Sequence, residues 1–271
     1  MNSTQPPVVL SIAGSDCSAG AGIQADLKTF SSFGCYGLTA VTCVVAEVPG
    51  QVASIQAIIP EVIRDQVSLL FKTYPIAAVK TGMLYSTTII EAVAEVLGNL
   101  KNIPALIVDP VMIASSGDPL LTPDAITAYR DFLFPLASLL TPNLDELCLL
   151  AGTHKTACSL EEMKKFGRHL IQKTKTPLLL KGGHLHQEEA IDVLLMRDGS
   201  EEIFAAPFLH GVETHGTGCT YSAAIAAGIA QGHSMPTAVA NAKDFITQAL
   251  KNAYQWGSVR ALRQIELERF K

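Results

Sequence analysis

The chain has 271 residues, 48% of them hydrophobic, and a formal net charge of −5 at pH 7. Such a chain can bury a large core, and its length fits one large α/β domain or two small ones; we favour a single domain that spans residues 1–271. No Lys/Arg run favours nucleic acid or an anionic membrane, and no apolar stretch approaches the roughly 18 residues of a membrane span. The N-terminus does not resemble a secretion signal. We therefore expect a cytoplasmic protein that acts on small molecules.

Short apolar runs alternate with longer amphipathic segments along most of the chain. The apolar runs lie at 8–14, 38–47, 76–82, 105–112, 138–143 and 177–184. The amphipathic segments, which are of helical length, lie at 24–34, 60–74, 87–100 and 123–137. This alternation predicts a mostly parallel central sheet with helices on both faces. A sheet of this kind places its ligand site at the carboxyl ends of its strands.

The last third of the chain has a different pattern. Segments 190–197 and 201–208, separated by Asp198-Gly199-Ser200, predict an antiparallel hairpin added to the sheet. Two helices, at about 218–231 and 236–255, close the chain. We find no internal repeat, low-complexity tract or linker in the sequence.

Polar or ionisable residues beside Gly or Pro follow nearly every predicted strand. They are Gly14-Ser15-Asp16, Glu47, Lys80-Thr81-Gly82-Met83, Asp109-Pro110-Val111-Met112, Thr141-Pro142-Asn143 and Lys181-Gly182-Gly183-His184. Because the carboxyl ends of parallel strands meet at one edge of a sheet, this convergence predicts a catalytic cleft there. For any single residue a structural role is the more frequent explanation, and Asn143 would also suit a helix N-cap.

The run Thr214-His215-Gly216-Thr217-Gly218-Cys219-Thr220 precedes an Ala-rich segment that predicts a buried helix. Its two glycines allow backbone N–H groups at the helix start to converge on an oxyanion or phosphoryl group. Cys219 would lie in the first turn, where a thiolate is favoured. The alternative is a loosened loop with a buried cysteine. The other five cysteines, at 17, 35, 43, 148 and 158, form no metal or redox pattern, and we expect them to be reduced.

A second glycine pattern raises a different function. Gly20, Gly22 and Ala25 match a loose dinucleotide fingerprint, and Glu47 lies where a ribose-binding acid would follow, as in an NAD-dependent oxidoreductase. That fingerprint needs its first glycine at the turn that leaves the strand, and residues 15–19 intervene here. The sequence therefore disfavours this alternative, and it contains no Gly-Lys-Ser/Thr of a P-loop.

The chain resembles the ribokinase-like superfamily, most closely its hydroxymethylpyrimidine/phosphomethylpyrimidine kinase branch from thiamine biosynthesis. The matching runs, in order, are AGSDCSAGAGIQADLKTF, VKTGM, DPVM followed by SGDPLL, LLTPN-LDE, LLKGGH and HGTGCTYSAA, within residues 8–255. The resemblance implies a ribokinase-like fold and a homodimer. It also implies transfer of the γ-phosphoryl group of MgATP to 4-amino-5-hydroxymethyl-2-methylpyrimidine, followed by phosphorylation of the resulting monophosphate.

The same resemblance implies roles for individual residues. The anion hole would consist of Gly216, Gly218 and the Cys219 amide, with Cys219 also acting as a base or as a group that positions the hydroxyl. The substrate-side residues would be Gly14, Asp26, Glu47, Met83 and Val111. On the nucleotide side, Lys181 and Thr217 would meet the phosphates, while Asp109 and Asn143 would organise Mg²⁺ and its waters.

One departure from the family concerns the substrate ring. Family members of this branch typically read Ala-Gln-Asn-Thr where this chain has Ala46-Glu47-Val48-Pro49. A carboxylate can accept hydrogen bonds from an exocyclic amine and a protonated ring nitrogen together. Glu47 also leaves room for a vitamin B6 ring, so a pyridoxal or pyridoxine kinase stays an alternative. A non-catalytic ligand-binding relative is disfavoured because Lys181, Asp109 and Cys219 are all retained.

Overall fold

The computed structural model describes residues 5–112, 120–122, 124–153, 159–183, 185, 188–211 and 215–264. A nine-stranded sheet forms the centre of this part of the chain. Its strands are β1 (Val8–Asp16), β2 (Tyr36–Val48), β3 (Gln51–Ala57), β4 (Ile76–Thr81), β5 (Ala105–Val108), β6 (Leu139–Leu140), β7 (Leu178–Gly182), β8 (Glu189–Leu195) and β9 (Glu201–Pro207). They are ordered β3-β2-β1-β4-β5-β6-β7-β8-β9. The six central strands, which are β2, β1, β4, β5, β6 and β7, run parallel to one another. Strands β3, β8 and β9 pair antiparallel with their neighbours.

Helices cover both faces of the sheet. They are α1 (Gly22–Ser32), α2 (Pro60–Thr73), α3 (Thr87–Gly98), α4 (Ala125–Ala128), α5 (Leu144–Ala151), α6 (Leu160–Thr174), α7 (Thr217–Ala230) and α8 (Met235–Lys251). A π-helical segment, Tyr129–Leu133, and a 3₁₀ turn, Phe134–Leu136, continue α4. One core contains side chains of α2 to α6, and the other contains those of α1, α7 and α8. Among the described residues, no helix is long and apolar enough to cross a membrane.

Helix α7 is buried on nearly all sides. Its residues from Thr220 to Gly228 are all buried, and most of them are Ala, Ser or Gly. A helix that is apolar all round belongs inside a core, and small side chains allow its backbone to approach the sheet closely. The N-terminus of α7 is thereby fixed at the edge of the sheet where the parallel strands end.

The structure confirms the mostly parallel sheet, the helices on both faces and the β8–β9 hairpin, but it differs from the sequence prediction at four places. Strand β3 was not predicted, because its residues are exposed or half-buried and show no apolar alternation. Helices α5 and α6 were not assigned either. The last helix ends at Lys251 rather than at 255, and Tyr254–Trp256 (β10) pairs with Val259–Ala261 (β11). The fifth strand stops at Val108 rather than at 112.

Some of the sequence predictions fall on residues outside the described ranges. They are Thr214, His184, Cys158 and residues 116–119 of the SGDPLL run.

A buried ion pair ties the second core to the sheet. Lys243 of α8 donates to Asp192 Oδ2 of β8 at 2.6 Å, and both side chains are at most 9% exposed. The other oxygen of Asp192 accepts the Gly182 N–H at 3.1 Å, at the end of β7. The pair therefore stabilises the packing of α8 and the strand end that carries Lys181.

We expect Asp192→Ala to lower the free energy of unfolding by about 3–5 kcal/mol, because it leaves the Lys243 ammonium buried without its counter-charge. Urea unfolding followed by circular dichroism measures this change. Glu95→Ala is the matched control, since Glu95 forms an exposed pair with Arg64 at 2.9 Å and should cost roughly 1 kcal/mol or less. Equal effects of the two substitutions would show that burial of the Lys243 pair adds nothing to stability.

Candidate active site

A pocket opens at the carboxyl ends of the central strands, against the N-terminus of α7. Ten of the residues predicted from the sequence line it. They are Gly14, Glu47, Met83, Asp109, Val111, Asn143, Lys181, Gly216, Gly218 and Cys219. The predicted cleft thus brings together residues from β1, β2, β7 and α7 with others that follow β4, β5 and β6. The two remaining predicted residues, Asp26 and Thr217, do not line the pocket.

The start of α7 supplies open backbone groups to the pocket. Gly216 caps the helix with φ +81°, and a Cβ there would lie 1.9 Å from the Gly20 carbonyl oxygen, so only glycine fits. A Cβ on Gly218 would lie 3.2 Å from Lys181 Nζ and 3.5 Å from Asp109 Oδ2. The N–H groups of the first helical turn have no partner within the helix, and the helix dipole favours an anion there. The arrangement can bind a phosphoryl group next to the Lys181 ammonium.

Gly20 and Gly22 form the bend that faces this helix start. Gly22 has φ +59°, and a Cβ there would lie 2.5 Å from the Gly14 carbonyl oxygen. The two glycines therefore serve close packing between the β1–α1 loop, β1 and the residues before α7. This packing explains the glycine pattern without a dinucleotide, which removes the reason for the oxidoreductase alternative.

Lys181 and Asp109 form a buried ion pair at the pocket floor. Lys181 Nζ lies 2.9 Å from Asp109 Oδ1, which also accepts from Thr141 Oγ1 at 3.0 Å. Ser222 Oγ donates to Asp109 Oδ2 at 3.2 Å. Burial by itself raises the pKa of Asp109, but Lys181 and then Lys80 outweigh burial and hold this pKa below its ordinary value. Burial likewise lowers the pKa of Lys181, and Asp109 outweighs it, so Lys181 stays a cation.

Glu146 is a pocket residue to which the sequence reading gave no role. Asn143 and Glu146 form a capping box at the start of α5, because each side chain accepts the backbone N–H of the other at 2.9 Å. Burial, with the nearby charge of Asp109, raises the pKa of Glu146 to about 7. The Asn-x-x-Glu spacing is a capping-box pattern and was readable in the sequence. Asn143 is therefore the N-cap considered above, and it also faces the pocket with Glu146.

Asp26 lies behind the pocket wall rather than on it, and its substrate-side role stays a prediction. Its side chain is fully buried, and both of its oxygens lie 2.9 Å from Lys80 Nζ. Ser11 Oγ also donates to it. Burial alone lowers the pKa of Lys80, but the charge of Asp26 outweighs burial and raises it. The pair therefore places a buried cation beneath the pocket.

Cys219 lies in the first turn of α7, as expected, and keeps part of its surface exposed. The Gly22 N–H donates to its sulfur. Burial raises the pKa of the Cys219 thiol to about 11, even though the Lys80 charge lowers it. The sequence predicted a favoured thiolate, and the structure contradicts this, because desolvation outweighs the Lys80 charge. The thiol is the form present near neutral pH.

Thr217 Oγ1 is buried beside the same turn. Among the residues that the structure describes, it makes no hydrogen bond. A buried hydroxyl without a partner is rare in folded proteins. Its position at the helix start leaves it available to an anion that enters the first turn.

Two carboxylates and a histidine lie beside the contact between Gly20 and the start of α7. His215 Nε2 lies 3.0 Å from Asp16 Oδ2, and the ligand atoms of Asp16, Glu47 and His215 all lie within 4.8 Å of one another. Burial by itself raises the pKa of Asp16, but hydrogen bonds from His215, Ala21 and Ser18 outweigh it and lower this pKa to about 2. Burial raises the pKa of Glu47, and the Asp16 charge adds to the increase.

These three side chains are close enough together to be considered as metal ligands. However, Asp16 already accepts four hydrogen bonds, from Ser18 N, Ser18 Oγ, Ala21 N and His215 Nε2, at 2.7–3.0 Å. Those contacts favour a histidine–carboxylate pair over an ion site. The sequence reading placed Asp16 at a strand end and His215 in the glycine run, but assigned neither a role.

Apolar side chains form one wall of the pocket. The residues of this wall are Val45, Met83, Val111 and Leu120, together with Gly14. A Cβ on Gly14 would lie 2.8 Å from Cys43 Sγ, so the wall packs closely at this position. The pocket therefore combines an apolar wall suited to a flat ring, the Glu47 carboxylate as an acceptor and an anion site at the start of α7.

Comparisons with known proteins agree with this geometry. The phosphomethylpyrimidine kinase family matches residues 16–262. The sequence is 44% identical over 245 residues to the hydroxymethylpyrimidine/phosphomethylpyrimidine kinase of Escherichia coli strain K12, covering 90% of this chain and 91% of that protein. The fold matches the phosphomethylpyrimidine kinase of Clostridium difficile with a TM-score of 0.77 and 37% identity, covering 89% of this chain and 98% of that one.

The structure is also similar to a kinase that is named for a different ring. It matches the pyridoxal kinase of Staphylococcus aureus in complex with pyridoxal with a TM-score of 0.87 and 33% identity, covering 98% of this chain and 96% of that one. The fold is thus shared between kinases named for a pyrimidine and for a pyridine. The family match over residues 16–262 and the identity to the Escherichia coli relative show that the chain belongs to the phosphomethylpyrimidine kinase family.

Proposed function

We propose that the protein is an ATP-dependent kinase of thiamine biosynthesis or salvage. It phosphorylates 4-amino-5-hydroxymethyl-2-methylpyrimidine and then the resulting monophosphate. One observation carries the proposal: a single pocket joins acceptors suited to an aminopyrimidine, at Glu47, to an anion site at Gly216, Gly218 and Lys181. The names of the sequence relatives support the same activity.

The arrangement favours positioning and charge stabilisation over covalent chemistry. With the ring against the apolar wall, the hydroxymethyl group would point toward Cys219 and the start of α7. The Gly216 and Gly218 amides, the Thr217 hydroxyl and the Lys181 ammonium would stabilise the charge of the phosphoryl group in transfer. Because the pKa of Cys219 is about 11, its thiol would orient the substrate hydroxyl rather than act as a standing thiolate base.

The oxygen-rich floor fits a magnesium ion on the nucleotide side. Asp109, Asn143 and Glu146 offer oxygens there, yet the Asp109 oxygens already accept from Lys181, Thr141 and Ser222. Mg²⁺ keeps several waters when it binds proteins, so these residues would hold it through water. When bound, the ion would neutralise negative charge on the nucleotide phosphates.

We further propose that the protein is a cytoplasmic homodimer, as the family resemblance implies. Light scattering measures the mass of the protein in solution and thereby tests the oligomeric state.

Vitamin B6 phosphorylation is the second candidate, because the solved structures that resemble this chain include pyridoxal kinases. The Glu47 carboxylate opposes it, since the ring hydroxyl of pyridoxal ionises readily and its anion would be repelled by Glu47. Incubation with MgATP and each of the aminopyrimidine, its monophosphate, pyridoxine and pyridoxal, with product detection by mass spectrometry, decides between them. Phosphorylation of the B6 vitamers alone would refute the proposal.

Cys219→Ala should fold normally and transfer phosphate about 10²–10⁴-fold more slowly in a single turnover, because a positioned group at the reacting hydroxyl is lost. Cys219→Ser is the matched control, since its hydroxyl retains a donor and an acceptor and should recover part of the rate. A rate near that of the wild type for Cys219→Ala would give the cysteine a packing role only. A milder loss in Cys219→Asp would indicate that proton removal is its main contribution.

The affinity for the aminopyrimidine should decrease both when the pH rises and when it falls. As pH rises through the pKa of the bound ring, the ring loses the proton that it donates to Glu47, at a cost of roughly 1–3 kcal/mol. As pH falls through the raised pKa of Glu47, the carboxylate is protonated and binding weakens again. Glu47→Gln should flatten both limbs. Calorimetric titration without ATP measures them.

In that titration, Asp16 and His215 are present in both proteins, so the difference between the two pH profiles isolates Glu47. Identical profiles for wild type and Glu47→Gln would eliminate the charged pair between Glu47 and the ring.

A further inference from the structure

Two loops with separate places in the sequence meet at the anion end of the pocket. The first follows β1 and comprises residues 17–21, and the second is the part of the chain just before α7, described from His215 onward. A Cβ on Gly20 would lie 2.7 Å from the His215 ring, and one on Gly216 would lie 1.9 Å from the Gly20 carbonyl oxygen. The loops therefore touch backbone to backbone, a contact that tolerates no side chain at either glycine.

Asp16 organises the first loop and reaches the second. It accepts from Ser18 N at 2.7 Å, from Ser18 Oγ at 2.9 Å and from Ala21 N at 2.8 Å, all within its own loop. Its contact with His215 Nε2, at 3.0 Å, crosses to the second loop. Asp16 is 1% exposed and His215 is 11% exposed, so water competes little for this contact.

A further contact braces the same junction. Gln264 Nε2 donates to Thr220 Oγ1 of α7 at 2.8 Å and approaches the Gly20 carbonyl oxygen at 3.4 Å. The start of α7 is thus held against the β1–α1 loop by Gln264 on one side and by Asp16–His215 on the other. Of these contacts, only Asp16–His215 joins ionisable groups. His215 immediately precedes Gly216, the N-cap of α7, where the anion site begins.

We propose that Asp16 and His215 are positioning residues for phosphoryl transfer: their contact sets where the amides of residues 216–219 stand relative to the substrate hydroxyl. The inference rests on the proposed kinase activity. A displacement of about 1 Å at a reacting centre can slow a reaction on the order of 10²-fold without changing the groups that react. The pair acts through the anion site, so its loss slows transfer while leaving the ring contacts in place.

The experiment compares His215→Leu, which removes the ring nitrogen, with His215→Gln, whose amide can still donate to Asp16. Single-turnover transfer at saturating MgATP and aminopyrimidine should fall on the order of 10–100-fold in His215→Leu and recover most of the rate in His215→Gln. The dissociation constant of the aminopyrimidine, measured by calorimetry without nucleotide, should stay within about threefold of wild type in both. A rate for His215→Leu equal to that of wild type would overturn the proposal.

The chain contains a matched control for Asp16. Asp198, in the β8–β9 turn, accepts from the backbone N–H and the hydroxyl of Ser200, just as Asp16 accepts from Ser18, but far from the pocket. Asp16→Ala should reproduce the slow transfer of His215→Leu, and Asp198→Ala should not. If aminopyrimidine affinity fell as steeply as the rate in the His215 variants, His215 would be a ring contact and the positioning role would be wrong.

Hydrogen exchange separates this inference from the kinase proposal itself. The Thr220 amide is bonded to the Gly216 carbonyl at 2.9 Å, so exchange of the segment 215–221 reports how firmly the start of α7 is held. Faster exchange in His215→Leu and Asp16→Ala, but not in Asp198→Ala, supports the role of the pair whatever the substrate. If the wild-type protein phosphorylates no pyrimidine, the proposed kinase function is refuted, whereas the role of the Asp16–His215 contact in holding the start of α7 is not. Unchanged exchange in His215→Leu would refute the inference.

Discussion

The close packing of α7 against the sheet is the constraint on which the rest of the site depends. A helix of Ala, Ser and Gly can approach the strands more closely than one of large side chains, and its residues from Thr220 to Gly228 are all buried. Its N-terminus is therefore presented at the edge where the parallel strands end. Glycine at 216 follows from this position, because the Gly20 carbonyl oxygen occupies the space where a side chain would lie, whereas a Cβ at 218 would fit closely beside Lys181 and Asp109.

Charges of alternating sign are buried below that helix start. Asp26 pairs with Lys80, Asp109 pairs with Lys181, and Glu146 lies near Asp109 with its pKa raised to about 7. An isolated charge in such a place would be strongly unfavourable, so each cation is held by a carboxylate with hydrogen-bond geometry. The result is a set of fixed dipoles that needs little rearrangement when a phosphoryl group arrives, which is the condition under which electrostatic stabilisation is most effective.

The sequence predicted the central strands well because strands buried on both faces are continuous apolar runs, as β1 is. Strand β3 escaped prediction because an exposed edge strand has no such pattern. The residues of the cleft were predictable from their positions at strand ends, whereas the direction of the Asp26 side chain was not, since Lys80 comes from a strand 54 residues away. The state of Cys219 was misjudged for a related reason: a helix start favours a thiolate, but the depth at which α7 is buried is a tertiary property.

Strand β2 extends past its neighbour β1, and Glu47 lies in that extension. The last residue pair between β1 and β2 joins Asp16 to Val45, so Glu47 pairs only with β3, across a shift in register after Ala46. Such a shift turns the side chains of a strand locally without disturbing the sheet behind it. Glu47, for which we propose a contact with the ring, is therefore carried by a two-stranded projection, while the start of α7 is anchored in the core. A substitution at residue 47 thus changes the acceptor that is offered to a ring while the backbone that forms the anion site stays packed against the sheet.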